Sequence, residues 1–216
     1  WGGYHSLGYV LGVLGRTEEG LRAARLAMNA DPLSYFPLHG LEVLLTRERR
    51  YEASMEIIRE QAALVGWNPE LKTQLASLLA ATGREEEART QLSEIETSDI
   101  EGNPLELNVA GVLAMLGELD QALEVVSRWD QEQSLSVDRF HVGSLAHVYA
   151  LLRDRDSAMQ KLLESWTRRE MWLLFLDDEA FDILRDDARF AKLIRDLNLP
   201  EDVYLQIPVR APIDTQ

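Results

Sequence analysis

Four histidines and two carboxylate runs are the residues of this chain whose types could do chemistry. His5, His39, His141 and His147 never pair at the three- or four-residue spacing that puts two imidazoles on one helical face, and no His-Glu-x-x-His occurs. They read as polar lining residues, and no metal site is expected. Glu85-Glu86-Glu87 and Asp177-Asp178-Glu179 each set three acids in succession. General acid–base work needs a carboxyl desolvated beside its proton partner. Runs at helix starts read instead as solvated, where the dipole favours negative charge. Gly8-Tyr9-Val10-Leu11-Gly12 lacks the Lys-Ser/Thr ending of a phosphate loop, and close helix contact is the better use of its glycines. There is no Gly-x-Ser-x-Gly elbow, and the absence of cysteine removes thiolate nucleophiles, disulfides and thiolate metal sites. The expectation is no catalytic residue, no cofactor and no enzyme.

The elements that position these side chains are written as a repeat. Leu75-Ala76-Ser77-Leu78-Leu79-Ala80-Ala81-Thr82-Gly83 reads as a helix ending on a glycine stop, and Arg84-Glu85-Glu86-Glu87-Ala88 as the acidic first turn of the next helix. Shifted along the chain, the turn position holds Gly15, Arg49, Gly83, Gly117 and Arg153, at steps of 34, 34, 34 and 36 residues. The small position five residues on holds Gly20, Ser54, Ala88, Ala122 and Ala158. Aliphatic ladders run through Leu7, Leu41, Leu75, Val109 and Leu145, and through Leu11, Leu45, Leu79, Leu113 and Tyr149. In the second helix, Ala24, Ile58, Leu92, Val126 and Leu162 keep step. A two-helix unit at this period, repeated in register, indicates an array in which each copy packs on its neighbours.

Composition agrees with such an array. Apolar residues make up 46% of the 216, ample for a core, and no apolar run approaches the ~20 residues of a membrane helix. A formal charge of −15 argues against phosphate-backbone binding, so neither nucleic acid nor membrane is an expected partner. The lack of cysteine fits a reducing, cytoplasmic setting. No secretory signal is visible. The sequence opens at Trp1 inside what should already be a repeat, and the expectation is a piece of a longer protein. The five tryptophans read as packing residues.

Local signals place the boundaries. Ser34 is the expected cap of the third helix, with Pro37 in its tolerated first turn. Asn68-Pro69 and Asn103-Pro104 pair a cap with a first-turn proline. Residues 93–102 read as a solvated helix end and loop. Asp130-Gln131-Glu132-Gln133-Ser134 takes up the two extra residues, and Ser136 or Asp138 caps the fifth copy. Near the end, Phe190, Leu193, Ile194 and Leu197 form one helical face, expected to cover the last copy's apolar surface.

The period, the two-helix unit and the small-residue pairs Gly8/Gly20, Ala76/Ala88, Ala110/Ala122 and Ala146/Ala158 resemble the tetratricopeptide repeat (TPR). The pattern's aromatic after the turn is present only as Tyr51 and its inter-repeat proline as Pro32. The second copy departs at Glu42, Arg49 and Ser54. Residues 181–190, Phe-Asp-Ile-Leu-Arg-Asp-Asp-Ala-Arg-Phe, look like the closing phrase of many bacterial TPR proteins, with Ala188 in place of proline. The fold expected is all-α. Five TPR-like helix pairs (about 1–34, 35–68, 69–102, 103–138 and 139–168) form a right-handed α-solenoid, followed by capping helices over 169–200 and an extended tail over 201–216.

The resemblance implies that the first helix of each pair lines a concave groove. Carried over copy by copy, the partner-binding face is His5 and Tyr9, with Gly12; Phe36, His39, Val43 and Arg47; Thr73 and Ser77, with Glu70 and Ala81; Leu107 and Met115, with Gly111 and Ala114; and Phe140 and His147, with Gly143 and Leu151. Only Arg47 and Glu70 carry full charge, and the Lys/Asn/Arg carboxylate clamp of chaperone-binding TPR domains is absent. Leu107, Met115 and Leu151 fit equally well as residues buried between copies. The implied function is a scaffold binding a protein or peptide through a largely uncharged surface, within a bacterial signalling or transcription-regulatory protein. The other reading is an accessory segment of an enzyme, such as a nucleotide cyclase, lying upstream. In the tail, Val203, Leu205, Ile207 and Val209 alternate with Tyr204, Gln206 and Pro208. An extended strand of this kind could dock on its own array or on a second copy, giving a homodimer; the other reading is a disordered end or a linker into a following domain.

Overall fold

The computed structural model describes residues 2–133, 142–170, 173 and 175–206, and all regular structure among them is helical. In chain order the helices are α1 (Gly2–Val13), α2 (Thr17–Ala30), α3 (Tyr35–Arg47), α4 (Tyr51–Val65), α5 (Pro69–Ala81), α6 (Glu85–Ser93) and α7 (Thr97–Ile100). They continue with α8 (Leu105–Met115), α9 (Leu119–Gln133), α10 (Val142–Leu151) and α11 (Arg155–Arg168). A 3-10 helix (Glu179–Leu184), α12 (Ala188–Asp196) and α13 (Glu201–Tyr204) follow, the last elements among the described residues. No helix among the described residues is long and apolar enough to cross a membrane.

The five turn positions share one backbone. Gly15, Arg49, Gly83, Gly117 and Arg153 all have positive φ, at 72°, 57°, 76°, 80° and 65°. At each turn the following residue donates to the carbonyl five residues back: Arg16 to Leu11, Arg50 to Leu45, Arg84 to Leu79, Glu118 to Leu113 and Asp154 to Tyr149, all at 2.8–2.9 Å. This Schellman bond satisfies carbonyls that a helix end leaves open. Its acceptors are one complete aliphatic ladder of the sequence. The following residue then becomes the cap of the next helix. Its carbonyl accepts from the small position: Gly20, Ser54, Ala88, Ala122 and Ala158.

Small residues are required where the paired helices meet. A Cβ on Gly20 would stand 2.9 Å from the Gly8 carbonyl, and one on Gly8 would stand 3.3 Å from the Gly20 carbonyl. Ala88, Ala122 and Ala158 are fully buried. The second pair replaces this contact with polar bonds. Ser54 Oγ donates to the Glu42 carbonyl at 3.4 Å, and buried Glu42 accepts from Thr46 Oγ1 at 3.2 Å. Successive first helices also meet, α1 on α3, α5 on α8 and α8 on α10. The largest apolar cluster runs from α8 to α11 and on through the C-terminal segment to Tyr204.

Several local expectations meet a different structure. Ser34 holds the cap position with extended backbone but makes no capping bond, whereas Asn68 accepts from Leu71 N at 2.9 Å and Asn103 from Leu105 N at 3.0 Å. The polar stretch 93–102 contains a helical turn, α7. Ser136 and Asp138 lie outside the described residues. The amides of Val142 and Gly143 at the start of α10 are satisfied from a distance. Buried Glu170 accepts from Gly143 N at 2.9 Å and Val142 N at 3.4 Å, while Ser165 Oγ donates to it at 3.0 Å. Phe190, Leu193 and Ile194 are buried on one face of α12. Asp187 caps that helix at Arg189 N, 2.8 Å, despite the missing proline. The tail does not begin as an extended strand: Glu201–Tyr204 turns helically as α13, with Tyr204 fully buried. Ile207, Pro208 and Val209 lie outside the described residues.

Candidate functional site

Side chains of α1, α3 and α10 converge on residues 175–181. Arg47, in the last turn of α3, pairs through Nη2 with Asp177 Oδ2 at 2.6 Å, with side-chain exposures of only 12% and 17%. The guanidinium does not fully repay the burial. Desolvation dominates and lifts the Asp177 carboxyl above the ordinary carboxylate range, against the pull of Arg47 and with a further push from Asp178. Tyr204 shares this environment. Burial first, then the Asp177 charge, pushes its hydroxyl up to about 12, with Arg47 opposing. Among the described residues, Arg47 Nη1 is buried without a hydrogen-bond partner.

The segment is gripped on either side of this pair. The Tyr9 ring on α1 meets Phe175 edge-on, centroids 5.8 Å apart at 90°. His5 packs edge-on against Tyr9 at 4.9 Å. Gly40 of α3 makes room for both, since a Cβ there would stand 2.8 Å from His5 Nδ1 and 3.5 Å from Tyr9 Cε2. Burial, aided by the nearby His39, lowers the His5 pKa. On α10, His147 Nε2 lies 3.3 Å from Asp178 Oδ1, and its ring stands against Phe181 at 5.9 Å. Asp178 Oδ1 also accepts from Ala180 N at 2.8 Å, capping the 3-10 helix. Arg185 holds the far side, Nη2 donating to the Asp177 carbonyl at 3.2 Å and Nη1 to the Tyr204 carbonyl.

Each residue expected on the partner-binding face can now be placed. His5, Tyr9, Arg47 and His147 join this cluster. His39, half-buried on α3, has Nδ1 3.3 Å from Glu42 Oε2 and 3.3 Å from Gln74 Nε2 on α5. Val43, Ser77 and Met115 are half-buried. Thr73 is buried, and its hydroxyl donates to the Pro69 carbonyl at 2.8 Å. Leu107 is 1% exposed inside the main cluster, so it is a core residue and presents nothing to a partner. Gly12 is likewise closed off, because a Cβ there would lie 2.4 Å from Leu44 Cδ2. Phe36 falls on α3, its side chain outside the described residues, as is the whole of Phe140.

The acidic run Asp177-Asp178-Glu179 is where the solvated reading fails. Asp177 is held inside by Arg47, and Asp178 does work for its own backbone. The signal in the sequence was the phrase around the run: Phe175 and Leu176 before it and Phe181 after it are apolar anchors that drag the carboxylates under cover. Gln74, Gly40 and Tyr204 were also missed. Gln74 lies one helical step from Thr73, and Tyr204 falls in the alternating stretch that fits a strand. Comparison of the sequence with family models and with curated proteins returns no match. Among the described residues, no group of three His, Asp or Glu side chains stands close enough to hold a metal ion.

Proposed function

We propose that the chain is a protein-interaction scaffold, an α-solenoid of five TPR-like helix pairs whose first helices form a peptide-holding face, working in the cytoplasm within a bacterial regulatory protein. The observation that carries this reading is the cluster around Asp177. A run of non-α backbone lies across first helices of the first, second and fifth copies. It is held by Tyr9, Arg47 and His147, three side chains that the repeat pattern assigns to the binding face. The face therefore has the chemistry to hold a peptide, and its own C-terminal segment takes one part of it. Burial of Leu173, Leu176, Phe181 and Leu184 anchors that segment, at about 1.5–3 kcal/mol each. The sum is too large for casual displacement, so a partner takes the adjoining part, at His39, Val43, Ser77 and Met115.

Site-specific photo-crosslinking in the source cells tests this. A crosslinker at Val43 or Ser77 should trap a partner that one at Glu86 or Glu124 does not. Val43→Asp should weaken the complex at least tenfold, and raised salt should leave it intact. Crosslinks confined to Glu86 and Glu124, with steep salt sensitivity, would move the interface to the acidic second helices and end this reading.

A further inference from the structure

We infer that a small primary amine, bound as its ammonium ion, occupies a cleft between α9 and α10. The inference stands apart from the peptide-holding face proposed above. The cleft has a volume of about 360 Å³ and is lined by Ser127, Asp130 and Gln131 of α9 and by Tyr149 of α10. That volume is in the range of small-molecule sites.

The polar wall of this cleft breaks the repeat. Tyr149 stands where the other copies carry Leu11, Leu45, Leu79 and Leu113. Lys161 on α11 stands where they carry Ala23, Ile57, Gln91 and Val125, and Asp130 where three of them carry Met28, Ala62 and Glu96. These departures converge on one carboxylate. The Tyr149 hydroxyl donates to Asp130 Oδ2 at 3.0 Å, and Lys161 Nζ donates to Asp130 Oδ1. Tyr149 and Lys161 are both buried, while the Asp130 side chain is 31% exposed. A buried ion pair stabilises no better than well-packed apolar side chains of similar volume, and such side chains are what the other copies mostly place here. Holding the helices together therefore does not require this cluster. Presenting a carboxylate to the cleft does.

The hydrogen-bonding groups select the ligand. Each Asp130 oxygen holds one donor from within the protein and has lone-pair capacity for another. The Tyr149 hydroxyl uses its proton on Asp130, so its oxygen acts as an acceptor toward the cleft. Burial first, then the charge and hydrogen bond of Asp130 and the charge of Asp154, pushes the Tyr149 phenol above its ordinary range, and it keeps that proton at neutral pH. Ser127 adds a hydroxyl oxygen. Charge points the same way. Lys161 also donates to Glu164 Oε2 at 3.4 Å, and Arg168 donates to Glu164 Oε1 at 2.6 Å. In this network Asp130, Asp154 and Glu164 share two bases, Lys161 and Arg168. A ligand ammonium supplies the missing positive charge and donors for Asp130, Tyr149 and Ser127 at once. An anion is repelled by the same carboxylates.

Amide NMR on the full chain, titrated with n-butylamine at neutral pH and about 0.15 M salt, reads this directly. The amides of residues 127–131 and 148–150 should shift saturably, with a Kd of about 0.1–10 mM for so few ligand atoms. The same concentrations of n-butanol, which lacks the charge, should leave them in place. Ser127→Ala with Tyr149→Phe should raise the Kd at least fivefold, and Ser127→Ala alone should give part of that loss. Asp130→Ala, Lys161→Val and Tyr149→Leu together, which restore residues of the other copies, should abolish binding and keep the thermal midpoint within a few degrees. No shift, shifts scattered over the acidic helices α4 and α6, equal shifts with n-butanol, or a triple variant that melts far below the parent would each overturn the inference.

Discussion

The Tyr204 hydroxyl donates to the Val13 carbonyl at 3.4 Å, joining residues 191 apart in sequence and α13 to the end of α1. Close by, Val203 packs at the Gly15 turn, where a Cβ would meet it at 3.4 Å. Tyr204 is fully buried. Tyr204→Ala should therefore cost about 3–5 kcal/mol in urea unfolding, and Tyr204→Phe, which keeps the ring, only about 1 kcal/mol. Amide exchange should rise in the last turn of α1 in the alanine variant. A neutral alanine change would mean that α13 contributes nothing to holding α1 in place.

Arg47 and Asp177 supply a test with a definite sign. The folded Asp177 carboxyl binds its proton more tightly than the unfolded chain does, because burial outweighs the guanidinium. Between the unfolded value of about 3.9 and the raised folded value, the native state holds more protons, so stability falls as pH rises. The contribution is fully present below the unfolded value and lost on passing the folded one. Asp177→Asn, which never ionises, should then gain on the parent chain as pH is raised through this window. Urea midpoints from pH 3 to pH 8 provide the comparison. If the parent gains on the variant instead, the attraction of Arg47 exceeds the cost of burial.

Much of the helical pattern was legible because it is written in local chemistry. The turn ladder predicted where helices stop, and all five positions take positive φ, Arg49 and Arg153 included. Asn68 and Asn103 announced their caps. What was not legible depends on residues distant in sequence. No local rule reveals that Glu170 caps α10, or that Asp177 is drawn beneath Arg47. The tail shows the same limit. The alternation of Val203 and Leu205 fits a strand, but Pro200 starts a helical turn and burial of Tyr204 outweighs the period of two. That residues 175–181 lie against Tyr9, Arg47 and His147 likewise depends on the fold, because those partners are distant in sequence.

The small positions permit a test of helix crossing. Ala88, Ala122 and Ala158 are fully buried, and each donates its amide to the residue that caps its helix. Leucine at any of them forces the pair apart or the side chain off its rotamer, at about 1–3 kcal/mol. Gly20→Ala should do the same with a single methyl, since the Gly8 carbonyl stands 2.9 Å from it. Chemical denaturation of the four variants should show each midpoint lowered with the slope kept. Unchanged midpoints at all three alanines would contradict the close crossings.

Arg153 shows the turn ladder running against local preference. It adopts φ of 65° at a position where three other turns carry glycine. A residue with a Cβ pays roughly 1–2 kcal/mol for the left-handed region, while glycine adds conformational freedom to the unfolded chain, which returns part of that difference. The net expectation for Arg153→Gly is a gain of about 0.5–1 kcal/mol, because the side chain is exposed and the Asp154-to-Tyr149 bond at 2.9 Å is made by backbone alone. The converse change, Gly83→Ala, meets no atom within 4 Å, so any loss there reports backbone strain without steric crowding. Thermal and urea unfolding of the two variants should move in opposite directions. If Arg153→Gly lowers the midpoint, the arginine side chain is stabilising this turn through contacts that outweigh its strained backbone.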